Sequence, residues 1–157
     1  MWKGRFQQST AELLSRYSES ISFDWRLHSY DIQGSIAHSK ALLAAGILTA
    51  QEQAAIEAWL GLVVAAAVKS AAFALEVAEC SRLIKGYGDT LKRGAENYAM
   101  VETKVIGPVL AGTIATARGI DAIASARTAA LVDPEGESLA KCLAEIGEAR
   151  EFDIAAE

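Results

Sequence analysis

Between Ala58 and Val68 the chain carries eleven consecutive apolar or glycine residues, AWLGLVVAAAV. Just upstream, Thr49-Ala-Gln-Glu52 has the form of a capping box, in which the Thr hydroxyl and the Glu carboxylate satisfy each other's free N–H groups, so a helix is expected to start there. Trp59, Leu60, Leu62, Val63, Val64 and Val68 then cover every face of that helix, and a helix apolar all round has to be buried on several sides. Eleven residues are too few to span a bilayer, which takes about 20, and Lys69 and Ser70 interrupt the run. The segment therefore predicts the interior of a helical bundle or a contact with a partner chain. The apolar pattern resumes through Phe73, Leu75 and Val77, which predicts one long helix reaching about Ile84.

The rest of the composition agrees with an all-α fold, a bundle of five or six helices. Apolar residues make up 52% of the 157 residues and charged residues 22%, with only 2 prolines, a balance suited to one packed domain. The net charge of −5 is carried by the last third, and there is no basic cluster with stacking aromatics, so neither nucleic acid nor a membrane is an expected partner. Cys80 and Cys142 stand far apart and outside any CxxC spacing; they are expected to be small buried side chains in a reducing cytoplasm, with no metal and no cofactor. The N-terminus MWKGRFQQST lacks the apolar stretch of a signal peptide. The uncovered apolar surface predicts a homo-oligomer or a helical partner chain.

Taken in order, Ser9 or Thr10 is expected to cap a short helix through Tyr17. Ser20–Phe23 reads as extended, with Ser22 or Asp24 capping a helix from Trp25 to about Ala45. Its buried set is expected to be Leu27, Tyr30, Ile32, Ile36, Leu42 and Leu43. Gly34, inside it, suggests close approach of another backbone or a ligand, with a mild packing defect as an equal alternative, and Gly46 suits the left-handed position past its end. Asp31, Ser35 and His38 form one polar stripe, which is ordinarily a solvated face and alternatively the wall of a site. Lys85-Gly-Tyr-Gly-Asp-Thr90 breaks the long helix, with Asp89 or Thr90 capping the next, from about Leu91 to Lys104. In that turn Lys85, Gly86, Gly88, Lys92 and Arg93 could cradle an anion, although a plain interhelical turn has the same composition. Gly107-Pro108 opens a further helix. Asp133-Pro-Glu-Gly-Glu137 caps a last one that is expected to end near Ile146, before a charged tail at 148–157.

Several separated motifs at the start of the chain occur together: Trp2-Lys-Gly-Arg-Phe6, Ser20-Ile-Ser-Phe-Asp24, Arg26-Leu27, Asp31-Ile-Gln-Gly-Ser35, Ala37-His38 and Ala45-Gly-Ile-Leu-Thr49. In this order and spacing they resemble the start of argininosuccinate lyases, over residues 1 to about 57, with Lys3 where Gly is more usual. The resemblance implies a helical lyase that removes a proton beside a carboxylate and expels a guanidinium, releasing fumarate from argininosuccinate. It also implies that Ser20 and Asp24 contact the substrate, with Asp31, Ser35 and His38 as a secondary wall. The family's Gly-Ser-Ser-x-Met-Pro-x-Lys-x-Asn loop and its Thr-His element are absent from these residues, so no catalytic residue is assigned and the chain alone is expected to be incomplete as an enzyme. A second stretch, Val77 to Thr90 followed by Lys92-Arg-Gly94 and Asn97-Tyr98, resembles a helical segment of indolepyruvate ferredoxin oxidoreductase β subunits over about 68–147. The organisation expected from both is a lyase-like segment at 1–57, an Ala-rich helical segment at 58–147 and the tail. It leaves three functional readings: a lyase piece, a helical interaction module, or a non-functional fusion product.

Overall fold

The computed structural model describes the backbone of residues 12–155 and the side chains of residues 12–148; the Trp2–Phe6 motif and the Ser9 or Thr10 cap lie outside the described residues. All regular structure among them is helical. Six helices have nine residues or more: α3 (His28–Ala44), α4 (Ala50–Lys69), α5 (Ala71–Glu79), α6 (Asp89–Val101), α8 (Thr116–Val132) and α9 (Glu137–Ala155). Three are short: α1 (Glu12–Ser18), α2 (Ile21–Asp24) and α7 (Gly107–Leu110). The chain divides into two compact units, residues 1–54 and 55–157, the division falling inside α4.

In the first unit, local hydrogen bonds fix the helix ends. Past α3, Gly46 takes φ +69°. Its N–H donates to the Leu43 carbonyl at 3.0 Å while that of Ile47 reaches back to Leu42 at 2.9 Å. This is the left-handed glycine stop that the sequence predicts. At the start of α4, Glu52 accepts from the Thr49 N–H and hydroxyl, both at 2.8 Å, and the Glu52 N–H donates to the Thr49 hydroxyl at 3.2 Å. The capping box is therefore formed. Among the described residues of this unit only Gln53 is buried. No residue of α3 is buried, and of its expected buried set Leu27, Tyr30, Ile32 and Ile36 are exposed while Leu42 and Leu43 are half-buried. At about 100° per residue Ile32, Ile36 and Leu43 share one arc of the helix while Tyr30 lies about 160° from Ile32, so the six residues cannot be buried on a single face. No backbone approaches Gly34, since a Cβ there would meet open space, which accords with the alternative of a mild packing defect.

The second unit is built round α8, which packs against α5, α6, α9 and two irregular turns. Its inward residues Gly119, Ala122, Ile123, Ala126 and Ala130 follow helical spacing and are mostly small, which lets neighbouring backbones come close. Gly119 is required, because a Cβ there would run into the Val109 side chain. Phe73, Val77, Val101, Val105, Ile106, Val109 and Leu139 complete the core.

Several helix boundaries differ from expectation, each for a local reason. The long helix stops at Lys69: Ser70 is extended, φ −165° and ψ 150°, and its hydroxyl accepts from the Phe73 N–H at 3.0 Å, capping α5 instead of continuing α4. Only part of the Trp59–Val68 surface is covered; Ala66 is buried, Trp59, Leu62 and Val63 pack on the core, and Val64 and Val68 remain exposed. Gly88, not Asp89 or Thr90, occupies the cap position of α6, without a side-chain cap bond. Pro108 follows a π-helical turn, Glu102–Ile106, in which the Gly107 N–H donates to Glu102, five residues back. The wider turn accommodates a ring that cannot donate and would clash in a regular helix. Asp133 acts from outside α9, its carboxylate accepting from the N–H groups of Ser138 at 2.8 Å and Glu135 at 3.2 Å. That helix runs on to Ala155, beyond the end expected near Ile146.

Candidate functional site

Residues 19–28 form a compact polar turn made almost entirely of contacts between near neighbours. Neither Ser22 nor Asp24 caps anything. Instead Glu19 accepts from the Ser22 N–H at 2.8 Å and starts the short helix α2, which passes through a 3₁₀ turn at Trp25–Leu27 into α3. Arg26 donates to the Phe23 carbonyl at 3.2 Å and its guanidinium lies 5.9 Å from the Phe23 ring centre. The His28 ring stacks on Trp25 at 6.3 Å, with Nδ1 2.7 Å from the Trp25 carbonyl. This commits His28 to a structural contact.

Within that frame the side chains of Ser20 and Asp24 are exposed and make no hydrogen bond or ion pair, while the Ser20 carbonyl accepts from the N–H groups of Phe23 and Asp24, both at 2.8 Å. Two polar groups four residues apart, on a turn whose backbone is already satisfied, are available to a ligand at little ordering cost. Asp31, Ser35 and His38 lie further along α3, and all three are also exposed. They share one arc of the helix, as their spacing demands.

The glycine turn of the second unit is more committed. Gly86 and Gly88 have φ +80° and +55°, conformations that favour glycine. Arg93 pairs with Glu135 of the α8–α9 turn at 2.9 Å, and Lys92 approaches Glu96 at 4.0 Å. Lys85, Thr90, Gly94, Asn97 and Pro134 line a cleft of about 40 Å³. Asn97 is buried and donates to the Pro134 carbonyl at 3.2 Å, tying α6 to the turn before α9.

A polar cluster that the sequence reading missed lies between α5 and α8. Arg127 pairs with Glu76 at 2.6 Å and donates to the Glu76 carbonyl at 3.4 Å, with both side chains largely buried. Burial pushes the neighbouring Cys80 thiol up to about 12, against a smaller opposing pull from Arg127. Tyr98 is likewise raised, by burial first and then by Glu102. A signal existed: Glu76 sits on the stripe of Phe73, Val77 and Cys80, and Arg127 on that of Ile123, Ala126 and Ala130. Opposite charges on two facing apolar stripes point to a buried pair.

Three curated relatives match one segment of the chain. It is 54% identical to argininosuccinate lyase of Nitrosomonas europaea over 56 residues, 36% of this chain and 12% of that protein. It is 49% identical to argininosuccinate lyase of Nitratidesulfovibrio vulgaris (strain Miyazaki F) over 65 residues, 41% and 14%. The third, argininosuccinate lyase of Thiobacillus denitrificans, is 47% identical over 60 residues, 38% and 13%. The chain thus contains an argininosuccinate-lyase-like segment and spans about an eighth of the length of the curated relatives it matches. Residues 48–104 match a family model described as a family of unknown function, DUF6537. No solved structure matches the chain.

Proposed function

We propose that residues 1–57 are an argininosuccinate-lyase-type segment that presents Ser20 and Asp24 to argininosuccinate, and that the chain by itself does not complete the lyase reaction. The observation that carries this reading is the identity of about half of all residues with lyases over 56 to 65 positions. The exposed, uncommitted side chains of Ser20 and Asp24 support it at the level of the site. Asp24 suits a cationic guanidinium or ammonium group and Ser20 a carboxylate or amine, roles that position the substrate without moving a proton. Asp31, Ser35 and His38 would form the outer wall.

Elimination needs a base within hydrogen-bond reach of the proton it removes and an acid for the leaving group. Neither histidine of this chain supplies them in this reading, because His28 is held by Trp25 and His38 has no group orienting it. A cytosolic setting accords with two free thiols. Among the described residues no helix is long and apolar enough to cross a membrane.

The test is fumarate release from argininosuccinate, followed by absorbance, alongside equilibrium dialysis of the substrate. The purified chain is expected to bind without turnover, and Asp24→Asn to weaken binding about tenfold, as the loss of a charge-assisted hydrogen bond would. Fumarate release by the purified chain would overturn the claim of incompleteness. Binding unaffected by Asp24→Asn and by Ser20→Ala would overturn the assignment of the contacts.

A further inference from the structure

We propose that Arg26 is a further substrate contact of the Ser20–Asp24 turn, binding the succinyl carboxylate of argininosuccinate while Asp24 takes the guanidinium beside it, so that the turn separates argininosuccinate from arginine. The inference rests on the lyase-type reading above and adds to it the group that recognises the anionic half of the substrate.

Asp24 and Arg26 stand two residues apart, both exposed, and neither forms an ion pair with the other or with any further described residue. Arg26 is instead drawn back onto Phe23. Its Nε donates to the Phe23 carbonyl at 3.2 Å, and its guanidinium carbon lies 5.9 Å from the centre of the Phe23 ring. That contact occupies the Nε–H group alone and leaves the N–H groups of both terminal nitrogens unused among the described residues. A guanidinium held to a carbonyl and over a ring keeps its charge, and loses little further freedom when a ligand arrives. Its planar fork of parallel N–H groups matches the two oxygens of a carboxylate.

The anchor of that fork is the immediate neighbour of Asp24 in α2. The same short segment is fastened from its other end, where the Ser20 carbonyl accepts from the N–H groups of Phe23 and Asp24, both at 2.8 Å, and Glu19 accepts from that of Ser22 at 2.8 Å. An anion and a cation are therefore fixed on one turn, each left without a counter-charge. Such a pair fits a ligand whose own opposite charges are close together. In argininosuccinate a single CH group separates the guanidinium nitrogen from the nearer succinyl carboxylate, whereas in arginine the whole aliphatic chain separates the two charges. Arg26 is also the cation placed to do this, since Arg16 lies in α1 and Lys40 near the end of α3.

The experiment is equilibrium dialysis of the full 157-residue chain with radiolabelled argininosuccinate and arginine, the fold of each variant being checked by its amide chemical shifts. The parent is expected to bind argininosuccinate at least tenfold more tightly than arginine. Arg26→Gln should weaken argininosuccinate binding about tenfold and leave arginine within about twofold, as loss of a charge-assisted carboxylate contact would. Arg26→Lys keeps the charge but loses the fork and the bond to Phe23, and should recover only part of that loss. Phe23→Leu, which removes the ring and keeps the carbonyl, should give a smaller loss confined to argininosuccinate. Equal losses for both ligands in Arg26→Gln would show that Arg26 merely holds the turn, and would overturn the proposal. Argininosuccinate binding that depends on Asp24 but not on Arg26 would overturn it too, and leave the lyase-type reading standing. Binding that depends on Arg26 but on neither Asp24 nor Ser20 would support the carboxylate contact and remove the contacts assigned above. No binding of argininosuccinate by the parent would overturn both.

Discussion

Glu76 and Arg127 meet where the apolar stripes of α5 and α8 face each other, and their 2.6 Å pair is screened from water on most sides. Removing one partner strands the other charge in the interior, which costs about 3 to 5 kcal/mol. Arg127→Ala is therefore expected to lower the unfolding free energy from urea titration by that amount, with a matching fall in midpoint, and Arg127→Met with Glu76→Leu together to recover most of it. A midpoint unchanged by Arg127→Ala would show that the pair is solvated. Cys80 makes a pH-dependent contribution through the same interior. Its folded value is raised, to about 12, so its contribution is complete below the unfolded thiol value of about 8.5 and lost as pH rises from there towards about 12. Titration with a thiol reagent at neutral pH should modify Cys142 first and Cys80 only on unfolding. Asp133 works in the opposite direction. Its carboxyl is held below the usual range, chiefly by the Ser138 N–H, so its contribution is present above about pH 4 and disappears as pH falls further. Thermal unfolding of Asp133→Asn should accordingly converge with the parent in acid.

At the scale of elements, two glycines give opposite predictions. Gly119→Ala forces a methyl against Val109 and should cost about 1 to 3 kcal/mol by denaturant titration, with Val109→Ala in the same chain recovering part of the loss. Gly34→Ala meets nothing and should raise the helix content of α3, by up to about 1 kcal/mol. The local grammar of the chain made many elements legible. Gly46 as a helix stop, Thr49 to Glu52 as a capping box and the all-helical class could be read directly, because each depends on neighbours within a few residues. Ser70 as a cap was legible in principle but was outweighed by the apolar pattern on either side. The exposure of Tyr30, Ile32 and Ile36 was not legible. Periodicity tells which residues could be buried, and whether they are depends on a partner surface that no local pattern encodes. The same holds for the site: the uncommitted side chains of Ser20 and Asp24 matter because nothing else in the chain claims them.

At the scale of the molecule, the cored helical unit at 55–157 and residues 12–54, where Gln53 alone is buried, should differ in amide exchange. Protection is expected to concentrate in Phe73–Leu143 and to be slight over Leu13–Leu48, where no residue is fully buried; equal protection across both would contradict this division. Two candidate ligand sites, the Ser20–Asp24 turn and the Lys85–Arg93 turn, fall in different units. Titration of the ¹⁵N-labelled chain with argininosuccinate separates them in one experiment. The account predicts chemical-shift changes centred on the amides of Ser20 to Asp24, reduced by Asp24→Asn. Changes centred on Lys85 to Arg93, or none at all, would contradict it.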